Sequence, residues 1–163
     1  MQTRFDQSHL LALGFTGFRA LQTAEAAHIP RCPGTYAVLL DPPLRSFLDR
    51  SVGGHFKGRD PTVGVDELSA KWVPSTPTMY IGRAGDLHSR IRLLRRYGQG
   101  EPVPHQGGRY LWQLSAHTRL QVAWRLEDDP VTAEAALLAD FERTMGRLPF
   151  ANLVRGTRPV AFV

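Results

Sequence analysis

The sequence predicts an α+β fold: a small, mostly antiparallel central sheet flanked by helices. Two short apolar runs, 34–40 and 78–82, contain β-branched and aromatic residues and are bounded by Gly or Pro, as strands are. A second pair, Tyr110-Leu111-Trp112-Gln113-Leu114 and Leu120-Gln121-Val122-Ala123-Trp124-Arg125-Leu126, reads as two further strands or a hairpin. Two longer stretches, from Asp86 to about Tyr97 and from Pro130 to about Met145, carry helical spacing between start and stop signals.

Taken in order, residues 8–13 with Phe15 and Phe18 form an apolar opening punctuated by Gly14 and Gly17. Residues 20–28 read as a short helix ending before Ile29-Pro30. The first strand, Gly34 to Leu40, is entered through Pro33 and ended by Asp41-Pro42-Pro43. Residues 41–76 are rich in Gly, Pro and Ser and read as a long insertion with short elements of its own. The strand Thr78-Met79-Tyr80-Ile81-Gly82 follows, then a helix for which Asp86 is the expected N-cap and Gly98 the stop. A loop over 101–108 leads to the second strand pair. Pro130 suits the first turn of the last helix, Gly146 ends it, and the tail from Leu148 is irregular. The chain is expected to form a single domain over 1–163, with 1–32 as an N-terminal extension.

With 163 residues and 42% hydrophobic content, the chain can bury an ordinary core without staples. No apolar run approaches the ~20 residues needed to span a bilayer, and the first residues do not resemble a secretory signal, so the expected location is cytoplasmic and no membrane partner is expected. Cys32 is the single cysteine, which excludes an intramolecular disulfide and a thiolate metal cluster. The net charge of +5 is carried almost wholly by arginine, whose planar fork suits phosphate oxygens, and this points towards a nucleic-acid partner. An arginine bias can equally reflect genome composition, so charge alone does not decide.

The chemistry-bearing residues form an ordered set. Gly34-Thr35-Tyr36 lies on one strand and Tyr80-Ile81-Gly82 on the next, followed by Arg83 to Ile91, a carboxylate on the last helix, and Pro149-Phe150-Ala151-Asn152. A strand tyrosine usually packs in the core, but its recurrence beside glycine on successive strands suggests close backbone approach. Arg90 borders the stripe Leu87, Ile91, Leu94, whereas Arg92, Arg95 and Arg96 point away from it. On the last helix Leu137, Leu138, Phe141 and Met145 define the buried face, and Glu134 falls within it. A carboxylate on such a face costs several kcal/mol unless it is paired, protonated or metal-bound. Asp140 and Glu142 lie off the stripe. His105 precedes a Gly-Gly pair and Arg109. It is either a satisfied loop histidine or part of an anion-binding loop.

This order resembles the GIY-YIG nuclease superfamily, over roughly 33–40 and 78–153. Residues 14–18, 105–114 and 149–152 are also similar to a subgroup of that superfamily. The sequence departs from the pattern in Thr35, in the insertion of about forty residues between the tyrosine motifs, and in Leu94, where many members carry His or Tyr. The resemblance implies a GIY-YIG-like fold and a metal-dependent endonuclease hydrolysing phosphodiester bonds in DNA, with RNA left open. Its catalytic set falls on Tyr36 and Tyr80 for water activation, Arg90 for the phosphate and Glu134 for one Mg²⁺ or Mn²⁺. Counting back from Asn152 by a common family spacing selects Asp140 as the metal ligand instead. Arg83 and Asn152 match substrate-contacting positions, and His105 and Arg109 are candidates for the same role. His105 is also the candidate replacement for the imidazole missing at Leu94. A non-catalytic nucleic-acid-binding module on the same scaffold is the alternative, and oligomeric state is unreadable.

Overall fold

The computed structural model describes residues 4–24 and 28–153. Four strands, β1 (Thr16–Ala20), β2 (Gly34–Leu39), β3 (Thr78–Ala84) and β4 (Gln121–Leu126), form one sheet in the order β1-β4-β2-β3. Every neighbouring pair is antiparallel. The helices are α1 (Gln7–Ala12), α2 (Val65–Lys71), α3 (Leu87–Gly98) and α4 (Pro130–Met145). The α+β expectation is met.

Strand β2 is central and all six of its residues are buried, because both edges are hydrogen-bonded and both faces are covered. Tyr36 and Val38 face one layer with Val122 and Trp124, packing on Leu87, Ile91, Leu94 and Tyr97 of α3. Ala37, Leu39, Ile81 and Ala123 face the other, against Leu137, Leu138 and Phe141 of α4 and Leu10 of α1. Each fully buried Val, Leu, Ile or Phe among them contributes roughly 1.5–3 kcal/mol. Helix α3 begins at its expected cap and α4 begins at Pro130, as the sequence predicts. Asp86 accepts from the Ser89 N–H, Asp129 accepts from the Thr132 N–H, and Gly146 closes α4 at φ 84°.

Three sequence expectations are corrected. Tyr110–Leu114 is not a strand: Gln106–Gln113 runs as 3-10 turns kinked at Gly108, with only one bridge, Phe47 to Leu114, beyond it. The segment is pinned by side chains instead. Gln113 donates to the Leu48 and Val63 carbonyls and accepts from the Val63 N–H, and Trp112 lies where a Cβ on Gly98 would fall, 2.4 Å away. The helix expected over 20–28 is a single 3-10 turn, Leu21–Thr23, and residues 25–27 lie outside the described residues. Within 1–32, Thr16–Ala20 adds an unforeseen edge strand to the sheet, bulged at Phe18, where φ is 52°.

The insertion carries α2 and a 3-10 turn at Phe56–Gly58, and it sends Leu68 and Trp72 into the core. The tail is irregular over 148–153, and the rest of it lies outside the described residues. Among the described residues no helix is long and apolar enough to cross a membrane.

Candidate active site

A cleft of about 560 Å³ opens along β3, the strand at one edge of the sheet. Side chains alternate along a strand, so Tyr80 leaves β3 towards the α3 layer and Arg83 towards α4. Arg90 enters from α3 and Glu134 from the first turns of α4, and all four line the cleft. Asp86, Ser89, Leu93 and Gly107 line it as well. None of these four stands out as a site residue in the sequence. Asp86 is legible only as a cap, and a Cβ on Gly107 would lie 3.3 Å from the Tyr80 hydroxyl, a closeness that no spacing reveals.

Tyr36 is not in the cleft. It is completely buried, its ring centroid is 5.9 Å from that of Tyr80, and its hydroxyl is 3.2 Å from His105 Nε2. The ring lies over Gly82, its cross-strand partner, where a Cβ would sit 2.6 Å from the ring. This contact is the physical reason for glycine at that position. Tyr80 is 7% exposed and presents its edge to the cleft. Burial raises the proton affinity of both phenols, well above the usual tyrosine range for Tyr36. Arg90 pulls both down, and hydrogen bonding from Tyr36 favours negative charge on the Tyr80 oxygen.

Glu134 is buried, yet Arg83 Nη1 donates to its Oε1 at 2.8 Å. Burial raises the Glu134 carboxyl, while Arg83 and then Arg90 pull it down. Arg90 thus acts electrostatically on Tyr36, Tyr80, His105 and Glu134 together.

Besides Tyr36, which the resemblance places in the catalytic set, four sequence assignments change. His105 does not line the cleft. It is 1% exposed, sits behind the tyrosines, and is held neutral, its pKa lowered to about 3 by burial and then by Arg90. It reaches the Tyr36 hydroxyl and not the cleft, and Leu94, one turn beyond Arg90, is plain core. Arg109 lines a separate recess with Arg59, Asp60 and Tyr97, because the 3-10 turns carry it to the insertion side. Asn152 borders the cleft, but its amide is already engaged: Oδ1 accepts from the Ile81 N–H at 2.9 Å and Nδ2 donates to the Ile81 carbonyl at 2.8 Å. Asp140 lies on the outer side of α4, where Arg143 donates to it, and it does not line the cleft.

The donor set bears on a metal. Among the described residues there is no group of three or more His, Cys, Asp or Glu able to hold one. Glu134 Oε2 has no hydrogen-bonding partner among them, which leaves one carboxylate oxygen at the cleft. A single carboxylate suits Mg²⁺ or Mn²⁺, which keep most of their waters and share substrate oxygens, and does not suit a closed protein cage. Comparison with models of known families, with curated proteins and with solved structures found no match.

Proposed function

We propose that the chain is a GIY-YIG-like endonuclease hydrolysing phosphodiester bonds in nucleic acid, with DNA as the first substrate to try. What supports this reading above all is the convergence, in one open cleft beside the sheet edge, of a phenol, two guanidiniums and a carboxylate drawn from β3, α3 and α4. Hydrolysis of a phosphodiester requires an oriented water, neutralisation of charge on the phosphoryl oxygens, and relief of charge on the leaving oxygen.

Arg90 is the group suited to the phosphoryl oxygens, because it lines the cleft and its charge reaches Tyr80 and Glu134 beside it. Tyr80 is suited to orient the water through its oxygen. It remains a neutral phenol at neutral pH, so it acts through hydrogen bonding and not as a phenolate. Tyr36 and His105 act behind it as positioning residues, with Tyr36 packed against the Tyr80 ring and His105 holding the Tyr36 hydroxyl. Glu134 would hold the divalent ion, which when bound supplies Lewis acidity at the phosphate and a more acidic water. Water oxygen bonds to phosphorus as the ester P–O bond breaks; one water proton ends on the departing oxygen, and the other leaves the new phosphomonoester to solvent.

The test is cleavage of plasmid DNA with Mg²⁺ or Mn²⁺. Arg90→Ala and Glu134→Gln are each expected to lower the rate by about 100-fold or more, the scale of losing a transition-state charge partner. Tight low-salt binding without cleavage in either metal would leave the non-catalytic binding module as the better reading.

A further inference from the structure

Arg83 and Glu134 form the most buried ion pair at the cleft, with only 26% and 8% of their side chains exposed. The pair has a consequence that a lone carboxylate would not. A divalent cation on Glu134 and the Arg83 guanidinium are two positive charges competing for one carboxylate, whether the ion takes Oε2 alone or both oxygens. Both residues also line the cleft that substrate would fill, so a phosphate entering it offers Arg83 a second anionic partner. The three events are then linked. Phosphate draws Arg83 off the carboxylate, the freed carboxylate takes the ion, and each binding step favours the other.

We infer that Arg83 couples the two ligands of this cleft, keeping Glu134 closed to a divalent cation until a nucleic-acid phosphate takes the guanidinium away. The inference rests on the nuclease reading above and adds an order of events: an empty cleft binds metal weakly, and metal with substrate binds well. Glu134 is largely buried on α4, so a carboxylate left without Arg83 is only partly solvated at the cleft, and a replacement cation is favoured there. This preference ties metal entry to phosphate entry.

The experiment measures Mn²⁺ binding to the full chain by electron paramagnetic resonance, alone and with a short DNA duplex. The Tyr80→Phe background is used so that the duplex stays intact. The duplex is expected to tighten Mn²⁺ binding by about tenfold or more, within the usual range of coupling between two sites. Arg83→Gln is expected to bind Mn²⁺ about tenfold more tightly in the absence of DNA and to lose most of the coupling. Arg83→Lys, which keeps a competing charge, is expected to retain it. If Arg83→Gln leaves the DNA-free affinity unchanged or weaker while Glu134→Gln abolishes binding, the coupling role is overturned and the metal site stands. If Glu134→Gln changes nothing, the metal assignment fails and the coupling fails with it. A readout on the otherwise unsubstituted chain guards against misfolded variants. The Arg83 Nε–Hε resonance is expected to move on adding duplex alone and to stay close to its place with Mg²⁺ alone at the same concentration, and a resonance indifferent to duplex overturns the inference.

Discussion

At Gly82 the absence of a single carbon decides where a tyrosine ring can lie. A Cβ there would come 2.6 Å from Tyr36 Cζ and 2.7 Å from its hydroxyl, with the ring held between β2 and the α3 layer. Gly82→Ala should cost about 1–3 kcal/mol, as overpacking does, and should displace the Tyr36 hydroxyl from His105. Urea denaturation checks the first effect, and an unchanged midpoint would mean that the ring moves freely. His105 carries a pH signature of its own. Its folded pKa is depressed from 6.5 to about 3, so the neutral imidazole contributes stability in full above pH 6.5. That stability drains as pH falls towards 3, at about 1.4 kcal/mol per pH unit. Glu134 has the opposite sign: its folded pKa is raised, so acidification relieves its burial and offsets part of the loss. His105→Gln should flatten the stability profile between pH 6.5 and about 5, where most carboxylates are still ionised. Parallel profiles for the two proteins would show that this imidazole is not held neutral.

Among the elements, β3 depends on a side chain at its outer edge. The Asn152 amide bonds the Ile81 N–H and carbonyl as a neighbouring strand would, while the Ala151 N–H donates to the Met79 carbonyl beside it. Asn152→Ala would leave two buried backbone groups unsatisfied, for a loss of roughly 2–4 kcal/mol. Hydrogen exchange at the Ile81 amide should accelerate accordingly, and an amide as protected as before would mean that another group closes the edge. The resemblance marks Asn152 as a substrate contact, and only the folded chain reveals this bond to β3. The elements legible in the sequence are those with local signals: β2 and β3 between turn residues, α3 between Asp86 and Gly98, and α4 between Pro130 and Gly146. Tyr110–Leu114 misleads because a fully buried apolar run has no period to read: Leu111, Trp112 and Leu114 are all inaccessible, whichever backbone carries them. Strand β1 is hidden by its own bulge, since positive φ at Gly17 and Phe18 breaks the alternation that announces a strand. Glu134 is legible because a carboxylate on an apolar stripe must be compensated, whereas nothing local tells that Arg109 turns away towards the insertion.

Across the whole molecule, the excess of arginine is a weaker sign of nucleic-acid binding than the net charge of +5 suggests. Arg95 donates to the Ala24 carbonyl, Arg96 pairs with Glu101, and Arg125 bonds both Glu127 and the Leu13 carbonyl. Arg147 reaches the carbonyls of Ala70 and Trp72, and Arg143 pairs with Asp140. These guanidiniums hold loops and helix ends together, so the part of the field available to a polyanion depends on where the remaining ones lie. Arg90 lies in the cleft, while Arg92, two residues on, is exposed on α3 and does not line it. The two side chains carry the same charge on one helix, so a uniformly basic surface would make them equivalent. A cleft that grips the backbone would not. Binding of a short duplex should weaken with salt along a straight line in log–log form, and each phosphate no longer neutralised should reduce the slope by about one. Arg90→Ala is expected to flatten the line by that amount, and Arg92→Ala to leave it within error. Equal changes in both variants would assign the binding to diffuse charge and remove the cleft from the account of substrate recognition.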